Sequence, residues 1–139
     1  MIKRALHLKS HAGEIGFPGG VYEKDKDENI LATALRETQE EVGVQVKFSQ
    51  VVAQLPIVNT RLGFEITPFV SVFSAAMEFK LKEDEVEEIL EIPLTSLLAT
   101  QQRDFSFSSE QDMVMYWFKH NRIWGASAQI LREINEART

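Results

Sequence analysis

Cysteine is absent from the sequence. That excludes a disulfide framework, a thiolate metal site and a Cys/His catalytic pair, and it fits a reducing compartment, so a cytoplasmic location is expected. No Gly-x-Ser-x-Gly motif occurs either, which removes the serine-hydrolase elbow from consideration. Long apolar runs are missing: the greasiest stretch, residues 66–77, is interrupted by Pro68 and falls short of the roughly 18 residues of a membrane span. The first 16 residues carry charges and histidines rather than the apolar heart of a signal peptide. Basic residues are the minority, 15 against 21 acidic, for a formal charge of −6. Proteins that grip long nucleic acids are usually basic, so neither long nucleic acid nor membrane is expected as a partner. Small phosphate compounds stay open if metal ions supply the missing positive charge.

What is present suits one domain over residues 1–139: 139 residues, 44% hydrophobic and 26% charged, can enclose a real core. Residues 44–52, 53–58 and 64–73 are rich in β-branched and aromatic side chains and read as strands. Asn59-Thr60-Arg61-Leu62-Gly63 reads as a hairpin turn between two of them. Residues 31–42 read as a helix, because Leu31, Ala34, Leu35, Thr38 and Val42 gather into a stripe about 100° wide. Gly43 stands where a helix-ending glycine belongs. Residues 83–88 read as an acidic loop or short turn, 89–93 as extended, 94–100 as a brief helix, and 114–118 as a strand. A terminal helix is expected over 126–137, with Ala128, Leu131 and Ile134 inward. Strands with helices at intervals indicate an α/β or α+β domain, helices packed on a sheet.

Glu37, Glu40 and Glu41 stand at i, i+3 and i+4 of the expected helix, so they share an arc of about 100° beside the apolar stripe. Three carboxylates this close repel one another, and they occupy the last turns, where the helix dipole prefers cations. A glutamate run on a helix is by itself more often a solvated face. A divalent cation would change that, since hard Mg²⁺ or Mn²⁺ favours oxygen ligands and cancels the repulsion. Upstream lies Gly13-Glu14-Ile15-Gly16-Phe17-Pro18-Gly19-Gly20. Pro-Gly-Gly forces a turn and lets backbone approach a bound ion or phosphate.

Taken with Glu28-x7-Arg36-Glu37-x2-Glu40-Glu41-x-Gly43-Val44, this stretch resembles the Nudix box, G-x5-E-x7-R-E-U-x-E-E-x-G-U, with U a bulky apolar residue. The resemblance implies a loop-helix-loop in an α/β/α sandwich with a mixed β-sheet. It implies Mg²⁺ or Mn²⁺ held by Glu37, Glu40 and Glu41, with a glycine carbonyl near Gly20 contributing. The activity implied is pyrophosphatase: hydrolysis of a phosphoanhydride in a nucleoside diphosphate linked to another moiety. Two departures stand out: seven residues rather than five separate Gly20 from Glu28, and Thr38 holds the U position.

Lys3-Arg4-Ala5, Gly13-x3-Phe17-Pro18-Gly19-Gly20, Thr33-Ala34-Leu35-Arg36-Glu37, Thr67-Pro68-Phe69-Val70, Glu85-Val86-x4-Glu91-Ile92-Pro93-Leu94 and Ile123-Trp124-Gly125-x2-Ala128 are together similar to the coenzyme A pyrophosphatase branch. That likeness implies coenzyme A or a derivative as the small-molecule nucleotide substrate, giving 3′,5′-ADP and 4′-phosphopantetheine. ADP-ribose or a nucleoside triphosphate, and a non-catalytic ligand sensor on the same fold, stand as alternatives. Lys9 occupies a place where the branch usually carries arginine, offering a point charge without bidentate geometry. Residues 1–4 match the late part of a strand in the family, so a shortened first strand is expected: either an earlier stretch of it has been clipped away, or the sheet is completed in another way, such as by a partner chain in a homodimer.

The residue roles expected are these. Glu37, Glu40 and Glu41, with Gly20, hold metal. Glu40, Glu41, Arg36 and Glu85 serve catalysis: Arg36 orients Glu37 or the loop, and the general base is Glu40 or one of Glu83, Asp84 and Glu85 if their loop folds over the site. Arg4, Lys9, Phe17 and Gly19 meet the substrate, with Lys3 beside them. Glu28 ties the loop to the helix or binds a second metal, the former being favoured slightly.

Several decoys weigh less. Asp25-Lys26-Asp27-Glu28-Asn29 opens like an EF-hand loop, but Ile30 and Arg36 stand where the glycine and the bidentate glutamate should be. His7 and His11 are four apart without an evident third zinc ligand. Trp117, Phe118 and Trp124 suit core packing better than base stacking.

Overall fold

The computed structural model describes residues 1–138, and these form two compact units, Met1–Gln54 with Phe69–Leu90, and Leu55–Pro68 with Glu91–Thr139.

In the first unit, β1 (Ile2–Arg4) is the middle strand of a three-stranded antiparallel sheet, between β2 (Ile15–Gly16) and the seventh strand of the chain, Val86–Ile89. Ile2 faces Gly16 on one side and Ile89 on the other. The helix α1 (Ile30–Val42) follows β2. Asn29 caps its start, accepting a hydrogen bond from the Ala32 amide at 2.8 Å, as a short polar side chain does best. Gly43 ends it at φ 74°, its amide donating to Gln39 O at 3.0 Å, and glycine takes this left-handed conformation without penalty. The last carbonyls of α1 are not left to solvent: the Lys80 amide donates to Val42 O at 2.8 Å and the Lys82 amide to Glu41 O at 3.0 Å, which satisfies groups a helix end orphans. Ile2, Val42, Val44 and the buried Val86 form the core, with Val46, Phe73, Met77, Leu81 and Ile89 against it.

The stretch read as one strand over 44–52 is irregular to residue 47. It makes a single 3₁₀ turn at Phe48–Gln50 and only then enters β3 (Val51–Gln54). Lys47 and Gln50 close that turn: the Gln50 amide donates to Lys47 O at 2.9 Å, and the Lys47 amide to Gln50 Oε1 at 2.9 Å. β-branched residues suit a strand, but a partner ladder decides whether one forms.

In the second unit, the hairpin expected around residues 59–63 is present. β4 (Val58–Asn59) pairs antiparallel with β5 (Glu65–Ile66), closed by Thr60 and Phe64 exchanging backbone and hydroxyl hydrogen bonds at 2.8 and 3.0 Å. The run 64–73 is split by Thr67 and the buried Pro68, so that β6 (Phe69–Ser71) returns to the first unit as the antiparallel partner of β3. Residues 83–88 do not remain a loop throughout: β7 (Val86–Ile89) is the sheet strand beside β1. The brief helix is α2 (Leu94–Leu98), and β8 (Gln102–Arg103), β9 (Val114–Phe118) and β10 (Asn121–Ile123) make an antiparallel sheet in the order β10-β9-β8. The terminal helix α3 (Gly125–Ala137) and α2 pack on β9. α3 buries Ala128, Ile130 and Leu131, while Ile134 is half-buried.

The α/β class is the expected one. Every ladder among the described residues is antiparallel, so the parallel pair that a mixed sheet contains does not occur among them.

Candidate active site

The site is built on one row of α1. Thr33, Glu37 and Glu41 stand four residues apart, one above another on the helix, and the loop after β2 lies against all three. Gly19 donates its amide to Glu41 Oε1 at 3.3 Å. A Cβ on Gly20 would sit 2.5 Å from the Glu37 carboxyl carbon, so only glycine lets the backbone lie this close. Thr33 Oγ1 donates to Asp27 Oδ2 at 2.9 Å. Two members of this row, Thr33 and Glu41, are buried and Glu37 is half-buried, whereas of the apolar stripe Val42 alone is buried and Leu31, Ala34, Leu35 and Thr38 are half-buried. The Thr38 hydroxyl donates to Ala34 O at 2.8 Å, satisfied within its own helix.

Glu41 is 5% exposed, and among the described residues no lysine, arginine or histidine pairs with it. Burial pushes its carboxyl up to about 7, with Glu37 and Glu85 repelling its charge and the Gly19 amide pulling the other way. An ionised carboxylate without a counter-charge is expensive to bury. Glu85 is brought near by the turn at residues 82–86, whose Glu85 amide donates to Lys82 O at 2.9 Å and whose carbonyl accepts from the Ala5 amide at 2.9 Å. Its carboxylate pairs with Lys82 Nζ at 3.0 Å.

Arg36 supplies the positive charge on the other side of the row. Its Nη1 donates to Glu37 Oε1 at 3.0 Å and to both Glu40 oxygens at 3.3 Å. Its Nε and Nη2 grip Asp27 at 2.8 and 2.9 Å. The tie from loop to helix is therefore made by Asp27. Glu28, which the spacing nominates, is exposed, and this corrects the expectation that it makes that tie.

A match to the Nudix domain runs over residues 1–118. The chain belongs to the Nudix family. Relatives named as an uncharacterized Nudix hydrolase NudL, from Salmonella paratyphi B and Salmonella newport, are each 34% identical over 138 residues, which is 96% of this chain and 71% of theirs. As a Nudix pyrophosphohydrolase the chain cleaves pyrophosphate in small nucleoside diphosphate derivatives, and Nudix hydrolases use divalent metal ions such as Mg²⁺ or Mn²⁺. No helix among the described residues is long and apolar enough to cross a membrane.

The Nudix residues expected to act together are only partly assembled. Gly19, Gly20, Glu37 and Glu41 converge, with Arg36 linking Glu37 to the more exposed Glu40, and Glu85 close enough to Glu41 to repel it. As the side chains stand, no three His, Cys, Asp or Glu among the described residues come together tightly enough to hold an ion. The donor chemistry nonetheless fits a hard cation: oxygen ligands only, a buried carboxylate lacking a counter-charge, and a glycine cradle open to close approach. Lys9 is exposed on the loop after β1, and Phe17 is exposed beside Pro18. Arg4 is half-buried, its Nη2 donating to Ser10 O at 3.4 Å and its buried Nε lacking an acceptor. His11 bonds Glu14 at 2.8 Å. Trp124 packs against Phe107 and under the Arg122 guanidinium.

Proposed function

We propose that this Nudix domain, taken as one domain over residues 1–139, hydrolyses the phosphoanhydride of coenzyme A or a derivative, releasing 3′,5′-ADP and 4′-phosphopantetheine. The observation that carries the reading is Glu41, a buried carboxylate with no protein counter-charge, set beside Glu37 and against the Gly19–Gly20 backbone. Glu37, Glu40 and Glu41 would hold Mg²⁺ or Mn²⁺ with a carbonyl near Gly20. The ion when bound supplies positive charge to the diphosphate and acidifies the attacking water.

The chain's own residues do the rest. Arg36 keeps the Glu37 and Glu40 carboxylates oriented through its shared Nη1. Glu85 is the general base we favour over Glu83 and Asp84, since it is half-buried and acts on Glu41 while they are exposed. It would take the proton from water as oxygen attacks phosphorus and the anhydride P–O bond breaks. Gly19 and Phe17, on the loop after β2, would meet the substrate as it enters. Arg4 and Lys9 would meet its outer phosphate. The setting is cytoplasmic, on free nucleotides, and a homodimer is testable by light scattering.

A panel of coenzyme A, ADP-ribose and nucleoside triphosphates with Mn²⁺, run on wild type and Glu41→Gln, tests the reading. Turnover of coenzyme A that Glu41→Gln loses supports it. Preferential turnover of ADP-ribose or a triphosphate reassigns the substrate. No metal-dependent turnover of any compound leaves a non-catalytic sensor in its place.

A further inference from the structure

Asp27 is 4% exposed and accepts hydrogen bonds from Arg36 Nε at 2.8 Å, Arg36 Nη2 at 2.9 Å, Thr33 Oγ1 at 2.9 Å and the Glu23 amide at 3.0 Å. The loop that delivers it folds as a tight turn, with the Asp27 and Lys26 amides donating to Glu23 O at 2.8 and 3.0 Å. The extra loop length is thus spent on a turn whose closing residue is Asp27. On the far side of the guanidinium, one nitrogen alone, Nη1, reaches Glu37 and Glu40.

That division of donors has a consequence. A guanidinium gripped on two nitrogens has a fixed plane. Freed from Asp27, the same cation could turn all its donors onto Glu37 and Glu40 and compete for the oxygens a divalent ion needs. Losing Asp27 would also remove one negative charge from the surroundings of that ion. Partners that orient ligands from behind matter to metal affinity nearly as much as the ligands do.

We propose that Asp27 is a positioning residue for the metal site: it fixes the Arg36 guanidinium so that one nitrogen alone, Nη1, reaches Glu37 and Glu40, and it does so in place of Glu28. The inference rests on the assignment of those glutamates as ligands given above. Asp27 acts chiefly through Arg36 and touches no reacting atom.

Calorimetric titration of the full chain with Mn²⁺, without nucleotide, tests it directly. Asp27→Asn is expected to bind Mn²⁺ roughly 10–100-fold more weakly than wild type. The exposed neighbour Asp25, changed to asparagine, should leave binding as it was. In the coenzyme A assay Asp27→Asn should lower kcat by a similar factor and move KM for the nucleotide by less than about twofold. A purely structural role would lower the folded fraction without shifting the Mn²⁺ midpoint of what remains folded. Folded Asp27→Asn that binds Mn²⁺ as wild type does would overturn the proposal, and so would Glu28→Gln losing as much affinity. Should Asp27→Asn not fold, Thr33→Val keeps the shape and removes one donor from the carboxylate. It is then expected to weaken Mn²⁺ binding by about threefold, and unchanged binding counts against the proposal. Weakened binding in a chain that hydrolyses nothing on the panel keeps this inference and defeats the proposed function. Hydrolysis with Mn²⁺ binding indifferent to Asp27 does the reverse, and wild type that takes up no Mn²⁺ defeats both.

Discussion

Glu41 and Asp27 are both buried carboxylates, and their surroundings treat them in opposite ways. The Arg36 guanidinium, bonded to Asp27 on two nitrogens, holds that carboxyl well below the usual range despite burial, with Glu23 and Thr33 assisting. Burial pushes Glu41 the other way, and the Gly19 amide does not offset it. A paired carboxylate serves architecture, whereas an unpaired one is a poor structural choice and a good ligand. Replacing Glu41 by glutamine should therefore separate two readouts. Hydrolysis should fall by roughly 10²–10³-fold, as when one electrostatic element of a site is removed. The metal-free protein should melt no lower than wild type, because a neutral amide is less costly to bury than an uncompensated charge. A metal-free melting curve well below wild type would mean that Glu41 is structural. The glutamates were legible in the sequence because their spacing is a helical one. Asp27 was not, because a pattern counted along the chain nominates Glu28, while the hydrogen bonds are decided by how the turn at Glu23 folds back.

At the scale of elements, α1 was readable to within a residue, since its apolar stripe and its terminal glycine are both local signals. The row that it buries was not. The apolar stripe through Leu35 and Thr38 is half-covered, and Thr33 and Glu41 lie deeper because the Pro-Gly-Gly loop lies on them. Strands over 44–52 and 64–73 were overestimated for a related reason: side-chain type favours extension, but Pro68 and the turn at Lys47 cut the ladders. β7 was missed because its partner, β1, is more than eighty residues away. Two glycines separate the functional from the structural use of this segment. Gly20→Ala places a methyl group against the flexible end of Glu37. The fold should hold while Mn²⁺ affinity drops by about tenfold, readable as a shifted metal midpoint at unchanged melting temperature. Gly43→Ala meets Lys80 backbone atoms at 3.0 Å with φ at 74°, which no side chain can yield to. It should lose about 1–2 kcal/mol or more in urea denaturation from the left-handed conformation alone.

For the whole molecule, a net charge of −6 with the buried Glu41 carboxylate on α1 lacking a counter-charge makes the folded state responsive to cations. Mn²⁺ that binds only the folded chain should raise its stability by about 2.7 kcal/mol at a hundred times the dissociation constant. Thermal melts with and without Mn²⁺ should show that rise in wild type and not in Glu41→Gln; a rise of equal size in both would place the ion elsewhere. Acid should act through a different group. Asp104 is 2% exposed, and it accepts from Arg122 Nη2 at 2.6 Å, the Ser106 hydroxyl at 2.6 Å and the Ser106 amide at 3.0 Å. Burial alone would raise its carboxyl, but Ser106 and Arg122 outweigh it and hold it below the ordinary value. A carboxyl with a lowered folded pKa binds protons more weakly folded than unfolded, so its contribution is present above the unfolded value, near pH 4, and is lost as pH falls through the folded one. Asp104→Asn should then be less stable than wild type by about 1–3 kcal/mol at neutral pH, the loss expected when a charged acceptor leaves buried donors behind. The gap between the two proteins should stay level down to about pH 5 and close below about pH 4. Urea midpoints taken across that range check it, and a gap that persists unchanged at pH 2 would show that the ionised form of Asp104 is not what Arg122 and Ser106 hold.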